Sequence, residues 1–138
     1  TNKEEVTAFR VRYPEVDRMA VAHHMHYLAW FEMGRTELMR SAGIPYGAVE
    51  ETMGVMFPVV EVGARYRRPS HYDEALEVRT AIADMGGPRV RFAYRIVRPP
   101  AGDVLAEGFT VHAAVGRDGR PHRVPAALVD ALTRWENS

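Results

Sequence analysis

Residues 13–35 read YPEVDRMAVAHHMHYLAWFEMGR, and the rest of the chain is arranged around this stretch. A loop that carries Asp17 leads into a long segment whose apolar residues recur at helical spacing. Gly43 and Pro45 form a strong stop signal for that helix. Its predicted buried face holds Tyr27, Phe31, Gly34, Leu38 and Ala42. Because glycine costs a helix about 1 kcal/mol relative to alanine, Gly34 predicts a close approach of the helix to another element.

Alternating apolar and polar residues predict strands on both sides of this helix. Thr7, Phe9, Val11 and Tyr13 share one side of a half-buried strand that is predicted to end at Tyr13-Pro14. Four further segments with a period of two follow, at residues 60–67, 76–83, 89–96 and 105–115. The turns between them are too short for parallel crossovers, so an antiparallel meander is expected.

The order of elements predicts an α+β fold, in which a curved, five-stranded antiparallel sheet wraps around a long central helix. A short second helix is expected from Pro45 to Met53, and Pro125 is placed to begin a terminal helix. The outward face of the sheet carries few charges for a solvated surface, which predicts an oligomer. One domain spanning residues 1–138 is the simplest organisation for this length.

Composition excludes several classes of protein. The 18 basic and 18 acidic residues balance, so no global charge favours nucleic acid or an anionic membrane. The chain has no cysteine, which excludes a disulfide scaffold, thiol catalysis and cysteine metal sites. No apolar run approaches the roughly 18 residues of a transmembrane helix, and the first residues lack the apolar core of a signal peptide. A cytoplasmic protein is predicted.

Asp17 is the first candidate for chemistry, although an aspartate in a loop most often only caps a helix. Its neighbours Val16, Met19, Ala20 and Val21 are apolar, and a carboxylate in apolar surroundings is costly unless it is paired or used. The start of a helix offers N–H groups that can hold a carbonyl oxygen as negative charge develops on it. A carboxylate beside it could act as a nucleophile or as a base for water.

The histidines and arginines allow weaker hypotheses. His23, His24 and His26 cannot all face one ion on a regular helix, so no metal site is predicted. The remaining histidines are interpreted as structural. Arginines cluster near the turns and could clamp phosphates as a group, although each alone is more often a solvated surface residue. Without a glycine-rich phosphate loop, a P-loop nucleotide hydrolase is excluded.

The ordered set of motifs resembles the hotdog-fold thioesterases, in particular the group of 4-hydroxybenzoyl-CoA thioesterase and the YbgC-like acyl-CoA thioesterases. The most specific part is Asp17, then His24 seven residues later, then Tyr27-Leu28 and Phe31-Glu32. The segment YRRPSHYDE at residues 66–74 and the RVP at residues 123–125 also match the family pattern. The resemblance covers nearly the whole chain.

This resemblance implies a hydrolase that cleaves the thioester bond of an acyl-CoA, with CoA as part of the substrate and no separate cofactor. It implies homodimers, often paired into tetramers as dimers of dimers, with the active sites at the subunit interface. Asp17 would be the nucleophile or general base, and the backbone N–H of His24 would polarise the carbonyl while its imidazole assists or orients water. Arg89 and Arg120 would contact the phosphates of CoA, with Arg123 nearby.

Two departures leave the acyl group open between aromatic, short and longer aliphatic chains. The family commonly has a glycine where this chain has Arg18-Met19-Ala20, and an asparagine where it has His26. Two alternative functions remain open. A hotdog acyl dehydratase would need a His-Asp or His-Glu pair in a different motif, which the chain lacks. A non-catalytic acyl-CoA-binding dimer would have no need of an acid beside the helix start.

Overall fold

The chain follows the order that the periodicities predict, with one strand, a long helix, a run of strands and a closing helix. The computed structural model describes residues 3–17, 22 and 24–138. Its strands are β1 (Glu5–Arg10), β2 (Val55–Met56), β3 (Val59–Tyr66), β4 (Ala75–Gly86), β5 (Arg89–Arg98), β6 (Asp103–Ala113) and β7 (Val115–Gly116). Its helices are α1 (His24–Ser41), α2 (Tyr46–Met53) and α3 (Ala126–Glu136), and a short 3₁₀ helix spans Tyr13–Glu15.

The main sheet has five strands in the order β1-β4-β5-β6-β3, and every neighbouring pair is antiparallel. β2 and β7 form a small second ribbon that the periodicity did not reveal, because each is only two residues long. The predicted α+β class and the five-stranded antiparallel sheet are confirmed. In the described parts of the chain, no helix is long and apolar enough to cross a membrane. The cytoplasmic location and the single-domain organisation stay predictions.

α1 packs against one face of the sheet through most of the predicted stripe. Tyr27, Phe31 and Leu38 are buried, and Gly34 lies directly against β4. A Cβ atom at position 34 would overlap the Thr80 hydroxyl and come within 3.0 Å of a Val78 methyl carbon. The close approach predicted from Gly34 is therefore confirmed.

The first strand ends earlier than predicted. β1 stops at Arg10, and Tyr13 begins the 3₁₀ helix with its side chain 74% exposed. Pro14 accounts for this, since it has no N–H for a strand ladder and its fixed φ favours the first turn of a helix. The Tyr13 ring packs edge-on against Tyr72, with ring centroids 5.7 Å apart. The prediction that the strand continues to Tyr13 is wrong.

β3 forms one edge of the main sheet and, among the described strands, pairs only with β6. Val60, Val62 and Tyr66 are all exposed large hydrophobic residues of this strand. A long edge strand with exposed apolar side chains is unusual in an isolated domain, because it invites pairing with another chain.

A line of polar side chains crosses the core beneath α1. The Arg35 guanidinium donates to the Tyr94 hydroxyl across 3.2 Å, and the Tyr94 and Thr110 hydroxyl oxygens are 2.6 Å apart. His112 Nε2 lies 2.9 Å from the Thr110 oxygen, and His112 Nδ1 lies 2.9 Å from the Phe57 carbonyl oxygen. Because a carbonyl only accepts, Nδ1 of His112 carries a proton. Burial lowers the pKa of His112 to about 4, so at neutral pH the ring is neutral, Nε2 accepts from Thr110, and Thr110 in turn accepts from Tyr94.

We expect this neutral histidine to make the fold less stable in mild acid. Burial lowers the pKa of His112 from 6.5 to about 4, and the Arg35 charge adds to the effect against the opposing Phe57 hydrogen bond. His112 is therefore protonated near pH 6.5 in the unfolded chain but only near pH 4 in the folded chain. Stability is complete above the unfolded pKa and falls as the pH drops through this window, by roughly 2 kcal/mol between about pH 7 and pH 5.

Urea unfolding of the wild type and of His112→Gln at these two pH values tests the expectation. The variant should be less stable at both values but should lose most of the pH dependence, whereas His71→Gln, at an exposed position, should keep it. An equal loss of stability in acid for wild type and His112→Gln would show that His112 is not the group responsible.

Candidate functional site

Asp17 lies on a loop whose two ends are joined at its base. Val16 and Ala22 form an isolated antiparallel bridge, and the Ala22 N–H donates to the Ser70 carbonyl across 2.9 Å. Asp17 itself is exposed. Residues 18–21 and 23, which include the Arg18-Met19-Ala20 departure and His23, lie outside the described residues.

The enclosed carboxylate of this region belongs to Glu15, two residues earlier, which the sequence patterns did not single out. Glu15 is 3% exposed, and its carboxylate accepts hydrogen bonds from the Arg12 backbone N–H at 2.7 Å and from the Trp30 indole N–H at 2.9 Å. Burial alone would raise the pKa of Glu15, but these hydrogen bonds and the Arg12 guanidinium hold it below its usual value. The available signal was Trp30, since a buried indole N–H needs an acceptor.

His24 is the first residue of α1 and lies against the end of β3. Its ring stacks on the Tyr66 ring, with centroids 4.3 Å apart and planes 9° from parallel. The Tyr66 hydroxyl donates to the His24 carbonyl across 3.4 Å, and the Tyr66 ring meets Tyr27 edge-on at 5.1 Å. The Tyr27 and Ser70 hydroxyl oxygens are 2.7 Å apart. The start of α1 is thus in contact with Tyr66, the last residue of β3, and with Ser70, four residues later.

A cleft of about 240 Å³ opens beside this helix start. It is lined by Ala22, His24, Tyr27, Tyr66, Arg67, Arg68 and Pro69. Arg67 is paired with Glu107, and Arg68 Nη1 lies 3.6 Å from an Asp103 carboxylate oxygen. The first turn of a helix directs its backbone N–H groups along the axis and carries a partial positive charge. A carbonyl oxygen in such a position would be stabilised as it gains negative charge.

The three predicted phosphate-binding arginines lie elsewhere on the chain. Arg89 begins β5 and pairs with Ala113, whereas Tyr66 pairs with Ala106 of the same strand, seven residues away. Seven residues of antiparallel strand span about 24 Å. Arg120 and Arg123 follow β7 and lie at the same end of the sheet as Arg89. There the Val124 N–H donates to the carbonyl of Gly87, in the turn before Arg89, across 2.8 Å. Within one chain, these exposed arginines are at the opposite end of the sheet from His24.

The described histidines do not gather around a common point. Within residues 3–17, 22 and 24–138, no group of three or more His, Cys, Asp or Glu side chains could hold a metal ion. His112 is committed to the core, and His122 Nε2 lies 3.2 Å from an Asp118 carboxylate oxygen. His23 is outside the described residues, so the prediction of no metal stays a prediction.

Comparison with known proteins gives consistent matches. The model of the thioesterase-like superfamily matches residues 11–132. The chain is 34% identical over 138 residues to the Bacillus subtilis protein named "Putative acyl-CoA thioesterase YneP", covering 99% of this chain and 96% of that protein. The crystal structure of the hypothetical protein TT1821 from Thermus thermophilus superposes with a TM-score of 0.86 at 41% identity, covering 94% of this chain and 98% of that one.

A more distant solved structure bears on the fold alone. It is a mutant of 4-hydroxybenzoyl CoA thioesterase complexed with 4-hydroxybenzoyl CoA, and it superposes with a TM-score of 0.84 at 18% identity. It covers 94% of this chain and 98% of that one. The hotdog fold predicted from the sequence is confirmed.

Proposed function

We propose that this chain, which belongs to the thioesterase-like superfamily, hydrolyses the thioester bond of an acyl-CoA to a free acid and CoA. The predicted family and the general class of thioester hydrolase are confirmed by the match over residues 11–132 and by the relatives. One structural observation carries the proposal. The loop bearing the exposed Asp17 closes directly onto the segment that begins α1, through the Val16–Ala22 bridge two residues before His24.

In this proposal the start of α1 stabilises the thioester carbonyl, and Asp17 carries out the chemical step. The thioester carbonyl oxygen sits at the positive end of α1, where the backbone N–H of His24 stabilises the charge that develops on it. Asp17 then acts in one of two ways. As a nucleophile, its carboxylate attacks the carbonyl carbon, the C–S bond breaks and CoA leaves as a thiolate that takes up a proton; water then hydrolyses the mixed anhydride. As a general base, Asp17 takes a proton from the water that attacks.

We further propose that a working site contains two chains. The free edge of β3 and its exposed Val60 and Val62 suit antiparallel pairing with a second copy. A twofold axis through such a pair lays the Tyr66 end of one β3 beside the Val59 end of the other. Because Val59 pairs with His112, next to Ala113 and therefore near Arg89, this arrangement brings the partner's arginine-bearing end toward the His24 cleft.

The outward face of the sheet supports a further pairing of dimers into a tetramer. A trough of about 510 Å³ runs across this face, with small residues such as Gly63 and Ala93 in its lining. The Arg91 guanidinium covers the Phe109 ring at 4.1 Å from its centroid. Small side chains over a broad surface allow another sheet to approach face to face.

Replacing Arg120 by alanine should weaken the binding of CoA esters more than it slows the chemical step. The guanidinium would lose charge-assisted hydrogen bonds to phosphate worth about 1.5–3 kcal/mol, or roughly tenfold to a hundredfold in KM. Steady-state kinetics with an acyl-CoA and with a simple acyl thioester lacking the nucleotide separate the two effects. Arg134→Ala, at an exposed position on α3, is the control; equal losses on both substrates would remove Arg120 from phosphate binding.

Product analysis by mass spectrometry distinguishes the proposed activity from its two alternatives. Hydrolysis releases free acid and CoA in equal amounts, with or without a chelator present. A dehydratase would leave the thioester intact and change the acyl group by one water. A binding protein would leave the acyl-CoA unchanged while the ligand raises the melting temperature. Either of the last two results would overturn the proposal.

A further inference from the structure

The strongest unexplained feature near the loop is the buried carboxylate of Glu15. Three groups from two residues hold it: the Arg12 backbone N–H, the Arg12 guanidinium at 3.5 Å, and the indole N–H of Trp30 on α1. Trp30 is 1% exposed. An ionised carboxylate is costly to bury and is found inside a protein only when its hydrogen bonds are well formed. A buried carboxylate with well-formed hydrogen bonds fixes the positions of its donors, because these bonds require particular distances and angles.

The position of this carboxylate links two parts of the site. Glu15 ends the 3₁₀ helix, Val16 is extended and bridged to Ala22, and Asp17 follows at once. Trp30 lies in the same rigid helix whose first residue is His24. The hydrogen bond between Glu15 and Trp30 therefore ties the chain just before the acid to the element that would hold the thioester carbonyl.

We propose that Glu15 is a positioning residue for hydrolysis, whose bond to the Trp30 indole sets the placement of Asp17 relative to the start of α1. This inference rests on the proposed function. Misplacing a reacting group by about 1 Å can cost a factor of about 10² in rate. Glu15 itself does not touch the substrate, so its loss acts on turnover through Asp17.

Glutamine is the informative replacement because it keeps the size and removes the charge. The Glu15 carboxylate accepts from two donors, the Arg12 N–H and the Trp30 indole N–H. A Gln side chain has one acceptor oxygen and one NH2 group, so in either orientation it places a donor against a donor. Removing the indole donor with Trp30→Phe relieves that conflict, since the Gln oxygen can then serve Arg12 alone.

The test compares wild type, Glu15→Gln, Trp30→Phe and the double variant, with Glu51→Gln on the exposed face of α2 as the control. Thiol release from an acyl-CoA is measured well below each melting temperature. We expect Glu15→Gln to lower kcat at least about tenfold while KM stays within about twofold, and the double variant to recover part of the loss. A second readout is the indole N–H resonance of Trp30, which should shift in Glu15→Gln while that of Trp135, the other tryptophan, does not.

The outcomes separate this inference from the proposed function. Failure of the wild type to release thiol from any acyl-CoA would overturn both. An active wild type, an inactive Asp17→Asn and a Glu15→Gln variant with wild-type kcat would overturn the positioning role alone. If Glu15→Gln does not fold, Trp30→Phe decides: a lowered kcat at unchanged KM supports the role, and an unchanged kcat contradicts it.

Discussion

Asp17→Asn is expected to reduce kcat for acyl-CoA hydrolysis by about 10²–10⁴-fold while the protein keeps its fold and its affinity for the ligand. The amide is nearly the same size as the carboxylate, but it can neither attack the carbonyl carbon nor take a proton from water. Asp17 is exposed, so a replacement of nearly the same size is expected to leave the fold in place. The measurement is thiol release under saturating acyl-CoA, together with the melting temperature with and without ligand.

Asp130→Asn is the matched control, since Asp130 is an exposed aspartate on α3. It should turn over at the wild-type rate. An Asp17→Asn variant within about twofold of wild type would remove this residue from the mechanism. The buried Glu15 would then have to be reconsidered as the reacting carboxylate.

Val62→Lys is expected to convert the oligomer to monomers and to abolish most of the activity with it. Val62 is 46% exposed near the middle of β3, where the proposed twofold axis passes. In such an interface the substitution occurs twice and sets like charges against each other, at a cost of about 3–5 kcal/mol, or roughly 10²–10⁴-fold in the dissociation constant. The monomer keeps its own Asp17 and His24 but loses the partner's arginines.

Val6→Lys is a closely matched control. Val6 is 49% exposed on β1, the edge strand at the other side of the same sheet. It should remain oligomeric and active, as shown by light scattering and thiol release at the same protein concentration. A monomeric wild type, or a monomeric Val62→Lys with full activity, would contradict the two-chain site.

The predictable parts of the fold are the segments in which the spacing of apolar residues indicates which side chains are buried. The apolar residues of α1 recur with a period of 3.6 and those of β4 and β5 with a period of two, so the type and order of these elements followed from the sequence, and Gly34 marked the close approach of α1 to β4. Tyr13 was misplaced because alternation continued past the real end of β1, and the proline after it overrode that pattern. Arg35 escaped notice because nothing in a helical period shows that a charged residue beside the apolar stripe is buried against hydroxyl groups.

For the candidate site, the sequence could indicate only that Asp17 lies near the start of α1. Asp17 and the start of α1 are close in sequence, so spacing alone placed them together. The contact between Glu15 and Trp30, and that between His24 and Tyr66, join residues 15 and 42 positions apart. Such pairs depend on how the helix docks on the sheet. The relation of Arg89, Arg120 and Arg123 to the acid depends on a second chain, which a single sequence does not describe.

The most direct test of the central claim is the rate at which the wild-type protein releases thiol from a panel of acyl-CoAs with short, long and aromatic acyl groups. We expect turnover well above the rate in buffer for at least one ester, and the best ester would identify the acyl class. Binding of these esters, seen as a raised melting temperature, with no thiol released from any of them, would contradict it. The protein would then be an acyl-CoA-binding hotdog protein.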